Sequence, residues 1–175
     1  MTTLSDLEPA CSLDEALAYF DGLPSVRSEE ITGRWRGREL RTGHPMDGLL
    51  EVTGWYGKQF DGVDAVHPLL FTGRGGKVFS VDPRRVPLGL ADRMPTGVAG
   101  RARAALPAFQ ELVATRKPRA RLRNVEHRGV VTAAMVYDHL PIIDVFRRAA
   151  DDTLLGVMDM RQNPRPYFFI LQKDA

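Results

Sequence analysis

Residues 119–173 read RARLRNVEH (119–127), VVTAAMVYD (130–138), IIDVFRRA (142–149), TLLGVMDM (153–160) and YFFILQK (167–173), five short runs rich in β-branched and aromatic residues. Arg128-Gly129, the bend at Pro141, Ala150-Asp151-Asp152 and RQNPRP (161–166) separate them. Runs of this length joined by tight turns describe an antiparallel meander. Upstream, EEITGRWRGREL (29–40) alternates, with Ile31, Gly33, Trp35 and Gly37 on one face and Thr32, Arg34, Arg36 and Arg38 on the other. GWYGKQF (54–60), VHPLLF (66–71) and KVFSVD (77–82) are further strand candidates, and GRGG (73–76) joins the last two. This tally of about eight to nine strands in so short a chain favours closure into a barrel, which leaves no bare edge. The expected fold is mainly β (α+β), an antiparallel calycin-like β-barrel with an N-terminal helix and a partly helical crossover. A barrel of this strand number has room for one small ligand.

The helix signals lie outside the strand runs. Ser12 and Glu15 form a capping box, after which Leu13, Ala16, Leu17 and Phe20 share a face. Gly22 fits the left-handed cap and Pro24 prevents continuation. MDGLLEV (46–52) reads as a helical turn. Residues 83–117 turn to Pro, Gly, Ala and Arg and read as a crossover, with Pro107 expected to open a helix running to about Arg116. The whole chain, 1–175, is expected to be one structural domain with modules at 24–82 and 118–175.

Composition narrows the function classes. At 175 residues with 43% apolar content, the chain buries a core without disulfides or metal. A net charge of +2 is too balanced to point to nucleic acid. The one cysteine, Cys11, rules out an internal disulfide, and the start MTTLSDLEPACS lacks the apolar core of a signal peptide. The expected compartment is cytoplasmic. His44, His67, His127 and His139 are scattered without metal-ligand spacing, so no metal is expected.

Gly33-Arg34-Trp35-Arg36-Gly37 resembles the signature of the bacterial GXWXG protein family. Gly54-Trp55-Tyr56-Gly57-Lys58-Gln59-Phe60 and His67-Pro68-Leu69-Leu70-Phe71 are similar to further stretches of that family. Residues 137–147 (YDHLPIIDVFR), Gly156-Val157-Met158-Asp159 and Phe168-Phe169 resemble its companion domain of unknown function. The GXW element also looks like the opening strand of the lipocalin and fatty-acid-binding group, and of small haem-binding barrels. These likenesses imply a barrel and leave the ligand open.

Candidate ligand contacts follow from residue type. Trp35, flanked by glycines on its own face, reads first as a core tryptophan and second as cavity wall. Alternation through 55–60 puts Tyr56, Lys58 and Phe60 on one face and Trp55 on the other. Lys58 between aromatics either neutralises an anionic head group or snorkels at the rim of a core. Tyr137, Asp138, His139 and Asp144 are the polar residues of an apolar stretch. Buried carboxylates need partners, with Arg147 or His67 as candidates. This group either holds the Pro141 bend or orients a hydroxyl and moves a proton. Phe146 supplies apolar wall. Arg119, Arg121 and Arg123 form a basic stripe that is either a solvated strand face or a contact for an anionic membrane surface.

Three functions remain. The leading expectation is binding of a small hydrophobic or amphipathic ligand, lipid-like with an anionic head, inside the barrel. The second is a cavity enzyme, an isomerase, cyclase or hydrolase, with Asp138 or His139 as acid or base and Tyr137 beside them. The third is a haem-binding barrel with His67 or His139 as axial ligand.

Overall fold

The computed structural model describes residues 2–86 and 95–175. Nine strands are present among them: β1 (Gly33–Glu39), β2 (Trp55–Gly62), β3 (Ala65–Thr72), β4 (Val78–Ser80), β5 (Ala120–His127), β6 (Val130–Tyr137), β7 (Ile142–Ala150), β8 (Thr153–Met160) and β9 (Asn163–Lys173). The helices are α1 (Leu4–Leu7), α2 (Leu13–Gly22), α3 (Leu49–Thr53) and α4 (Thr96–Val113), with short 3-10 turns between elements. Every pairing is antiparallel. The order β2-β1-β9-β8-β7-β6-β5-β3 closes through β2–β3 into an eight-stranded barrel, and β4 extends the free part of β3. The seam is narrow, since β3 meets β5 only at Val66–Ala120. The contact of one carboxylate with Arg119 reinforces it. Fully buried Asp82 binds Arg119 of the approach to β5 at 2.7 Å and Arg84 at 2.8 Å. Those guanidiniums hold its carboxyl well below the usual carboxylate range.

The period-two pattern sorts the wall into two faces. Ile142, Phe146, Leu154, Phe169 and Leu171 point into the barrel with Trp35 and Phe60. Val145, Leu155, Val157, Phe168 and Ile170 point outward, where Ala16 and Phe20 of α2 cover them. The capping box starts α2 as expected, with Ser12 Oγ accepting from the Glu15 amide at 3.2 Å and Glu15 accepting from the Ser12 amide at 2.8 Å. α4 departs from expectation. It starts near Pro95, far upstream of Pro107, and ends at Val113. The Ala- and Arg-rich run before Pro107 has enough helix propensity to propagate through one missing amide donor. Residues 87–94 of the expected crossover lie outside the described residues.

The two glycine-tryptophan stretches pack against each other. A Cβ on Gly37 would lie 2.0 Å from the Trp55 ring, and one on Gly57 would lie 2.0 Å from the Trp35 carbonyl oxygen. The second glycine of the GXWXG run therefore makes room for an indole on the neighbouring strand, not for its own tryptophan. Gly57 lets β1 and β2 approach at a bulge. Gly37→Ala must push the Trp55 indole aside and is expected to cost about 1–3 kcal/mol. Gly22 is the last helical residue of α2, followed by an extended Leu23, and not the expected left-handed cap, so Gly22→Ala, with nothing within 4 Å of the new methyl, is expected to add roughly 0.4–1 kcal/mol. Urea midpoints at unchanged m-value check both.

Candidate functional site inside the barrel

The register shifts of β2 around Gly57 decide which side chains enter the barrel. They change the phase of the strand, so Trp55, Lys58 and Phe60 face inward while Tyr56 faces outward against Arg34 and Arg36. The alternation expected through 55–60, with Trp55 opposite Tyr56, Lys58 and Phe60, is thus corrected by a bulge. Lys58 is 2% exposed. Its Nζ lies 2.8 Å from Asp144 Oδ2 and donates to the Pro68 carbonyl at 3.2 Å. Three rings surround the ammonium, with centroids at 5.0 Å (Phe169), 5.6 Å (Trp55) and 5.8 Å (Tyr137). Asp144 enters because Ile142, Asp144 and Phe146 share the inward face of β7.

This ion pair is expensive to bury. Desolvating two charges costs several kcal/mol each, and their attraction repays this fully only when every remaining polar atom is satisfied. Here Asp144 Oδ1 has no hydrogen-bond partner among the described residues, and the Trp55 indole Nε1 has none either. Burial raises the Asp144 carboxyl above the usual range and the Lys58 ammonium pulls it back. Burial, with the Asp144 charge adding, pushes the Tyr137 hydroxyl well above the usual phenol range, so it stays protonated. Asp144, Lys58, Tyr137 and Trp55 border a cavity of about 40 Å³ whose other walls include Leu50 of α3 and Met158.

That volume corrects the expectation of a lumen for a lipid. A water needs roughly 10–15 Å³ of such space, so the cavity accepts a few waters or a small functional group and excludes an acyl chain. The rest of the interior is filled by aromatic rings. Phe146 lies edge-on to Phe60 at 6.0 Å and to Phe169 at 6.2 Å. Side chains this large fill an eight-stranded barrel.

The other candidates are dispersed. Trp35 is buried core, its Nε1 donating to the Thr32 carbonyl at 3.1 Å. Asp138 and His139 are exposed in the bend after β6, where Asp138 pairs with Arg121 at 3.1 Å. Of the group expected at the polar end of the cavity, alternation turns only Tyr137 and Asp144 inward. Arg147 is buried on the outer face, over the Phe20 ring and donating to the Leu23 carbonyl at 3.2 Å, because Phe146 takes the inward position. Asp144 therefore pairs with neither Arg147 nor His67. His67 contacts Ser80 Oγ at 3.2 Å and Asp61 at 3.4 Å. Neither His67 nor His139 lines the cavity, and its volume does not fit a haem. Arg119, Arg121 and Arg123 each face a carboxylate, Asp82, Asp138 and Asp64, which matches the charge of the basic stripe. Among the described residues no cluster of three or more His, Cys, Asp or Glu could hold a metal ion, and no helix is long and apolar enough to cross a membrane.

Sequence reasoning had Lys58 and Asp144 separately and missed their contact. The signal was a lone cation in one apolar run and a lone carboxylate in another. It also passed over a second feature, an outer cleft of about 500 Å³ bordered by Arg36, Arg38, Arg41 and Tyr56. Leu50 and Trp55 line both the cleft and the inner cavity and separate them.

Comparison with known proteins follows the same division of the chain. A model described as GXWXG protein matches residues 18–76, and one described as domain of unknown function (DUF4334) matches residues 118–173. A crystal structure of a protein from Thermomonospora curvata is 32% identical with a TM-score of 0.70, over 94% of this chain and 89% of that one. No curated protein matches the chain.

The ion pair generates a direct stability test. Lys58→Met or Asp144→Leu alone leaves a buried unpaired charge and is expected to cost about 3–5 kcal/mol. The double substitution is expected to recover most of that loss in a urea-unfolding cycle, showing that the pair is kept for something other than stability.

Proposed function

The chain belongs to the GXWXG protein family, with the DUF4334 domain at its C-terminal end, and from that premise we propose that the barrel binds a small amphipathic molecule at the Lys58–Asp144 pair. The observation that carries this reading is the pair of unused polar atoms, Asp144 Oδ1 and Trp55 Nε1, on a cavity walled otherwise by Met158, Leu50 and Phe169. The acceptor suits a ligand hydroxyl and the indole N–H suits a carbonyl or ether oxygen. Lys58 and Asp144 neutralise each other, so the part of the ligand that enters is uncharged. The supported guest is much smaller than a fatty acid.

A second reading has its own support. A carboxyl raised by burial, beside an ammonium and a protonated phenol, is a poised acid–base group. A cavity isomerase would then use Asp144 and Tyr137, not Asp138 and His139. Asp144→Asn separates the two, since it abolishes turnover in an enzyme and weakens binding in a carrier.

Acetoin, a four-carbon hydroxyketone, tests the site. Titrated into ¹⁵N-labelled protein, it is expected to shift the Trp55 indole N–H resonance saturably. The Trp35 indole, already bonded to Thr32, should stay fixed. Trp55→Phe, which removes the Trp55 indole N–H, is expected to weaken acetoin binding by calorimetry about threefold to tenfold, the worth of one neutral hydrogen bond. Camphor, an uncharged ketone too bulky for the cavity, should leave Trp55 unmoved. An unshifted Trp55 signal with acetoin and with a panel of small hydroxyketones would overturn the reading.

A further inference from the structure

The interior site rejects net charge, because the Lys58 ammonium is already matched by Asp144 at 2.8 Å. An amphipathic ligand must therefore leave its charged end outside the barrel wall, and the outer cleft adjoins the cavity across Leu50 and Trp55. Three guanidiniums line it. Arg36 stacks on Tyr56 at 5.8 Å and has no carboxylate partner among the described residues. Arg38 pairs with Glu8 at 2.6 Å and Arg41 with Glu51 at 2.8 Å. Both are exposed pairs of the kind that water and a better anion displace readily. The cleft's other carboxylate, Glu39, is occupied by the Gly48 and Leu50 amides at 2.7 and 2.6 Å and by the Tyr167 hydroxyl at 2.8 Å.

The Arg41–Glu51 pair has a mechanical consequence. Glu51 and Leu50 both belong to α3, a five-residue helix. Gly48 (φ 88°) and Gly54 (φ 76°) bracket it, both in the left-handed region where glycine turns freely. Trp55 follows directly on Gly54. Glu39 already holds the start of α3 through the Gly48 and Leu50 amides, so the pair ties down the later part of the helix, next to Trp55.

We propose that the outer cleft is the subsite for an anionic group, a carboxylate or phosphate, of the ligand whose uncharged end reaches Asp144. In binding Arg36 and Arg41 that anion takes Arg41 from Glu51, and the Glu51–Gly54 end of α3 turns on Gly54 to let the rest of the molecule pass Trp55, while Glu39 keeps the Gly48 and Leu50 amides. Planar guanidinium forks suit such oxyanions. Recognition of the charged end and opening of the partition are one event. This inference rests on the interior-site reading above and assigns the ligand class, a small acid with a hydroxyl or carbonyl on an apolar body.

The probes are 3-hydroxyhexanoate, its primary amide, inorganic phosphate and acetoin, each titrated into the full chain by NMR at low salt. The acid is expected to shift both Trp55 and the Arg36 and Arg41 Nε–H signals and to bind at least about tenfold tighter than the amide. That advantage should vanish in Arg36→Gln/Arg41→Gln and at roughly 0.5 M salt, which screens exposed charges. Glu51→Gln, which weakens the tie and leaves all three arginines of the cleft in place, should speed amide exchange across Glu51–Trp55 in the free protein. Equal affinity of acid and amide, with acetoin still shifting Trp55, would overturn this proposal and leave the interior site standing. Phosphate or acid shifting the arginines without any effect on α3 exchange or on Trp55 would overturn the coupling. Failure of acetoin alone to shift Trp55 would instead count against the interior site.

Discussion

Lys58 and Asp144 sit on β2 and β7, opposite sides of the barrel in strand order, and their 2.8 Å contact exists only because β2–β3 closes the sheet. Closure brings the two charges together in an interior of phenylalanine, methionine and tryptophan, where each would be prohibitive alone. The position of the pair then sets what the cavity is. It is small, neutral overall, and polar at one end. The unused carboxylate oxygen and the unused indole N–H are what remain after the pair and the surrounding rings have satisfied one another.

The tryptophan motifs serve this arrangement. Gly57 lets the backbone of β2 cross close to Trp35, and the same irregularity rotates Lys58 into the lumen. Gly37 leaves space for the Trp55 indole, which is thereby held between the cavity, the outer cleft and the Lys58 ammonium. A motif that reads along one strand as glycine, tryptophan, glycine is in space a contact between two strands. Its second glycine belongs to the neighbour's tryptophan.

Much of the fold was legible in the sequence. The meander of 119–173 and the alternation of 29–40 encode strands whose two faces bury against different partners, and Ser12 with Glu15 encodes the start of α2. The site was less legible. Alternation gave the facing of Trp35, but it failed through 55–60, because a bulge changes phase without a distinct mark beyond Gly57 itself. Asp138 and His139 looked buried beside apolar neighbours, although the strand ends at Tyr137 and leaves them in water. The lumen's fullness was also invisible, since ring packing depends on how far four aromatic side chains from four strands reach toward one another. Pro107 misplaced a helix start because local propensity upstream outweighed a single missing donor.

The central claim is that a guest atom belongs between Asp144 Oδ1 and Trp55 Nε1. A high-resolution crystal structure from crystals soaked in acetoin measures this directly. Density for the hydroxyketone is expected in the cavity, its oxygens within hydrogen-bond distance of both atoms and the Lys58–Asp144 contact intact. Unchanged protein with those two atoms turned to satisfy protein groups, and no guest between them, would contradict it.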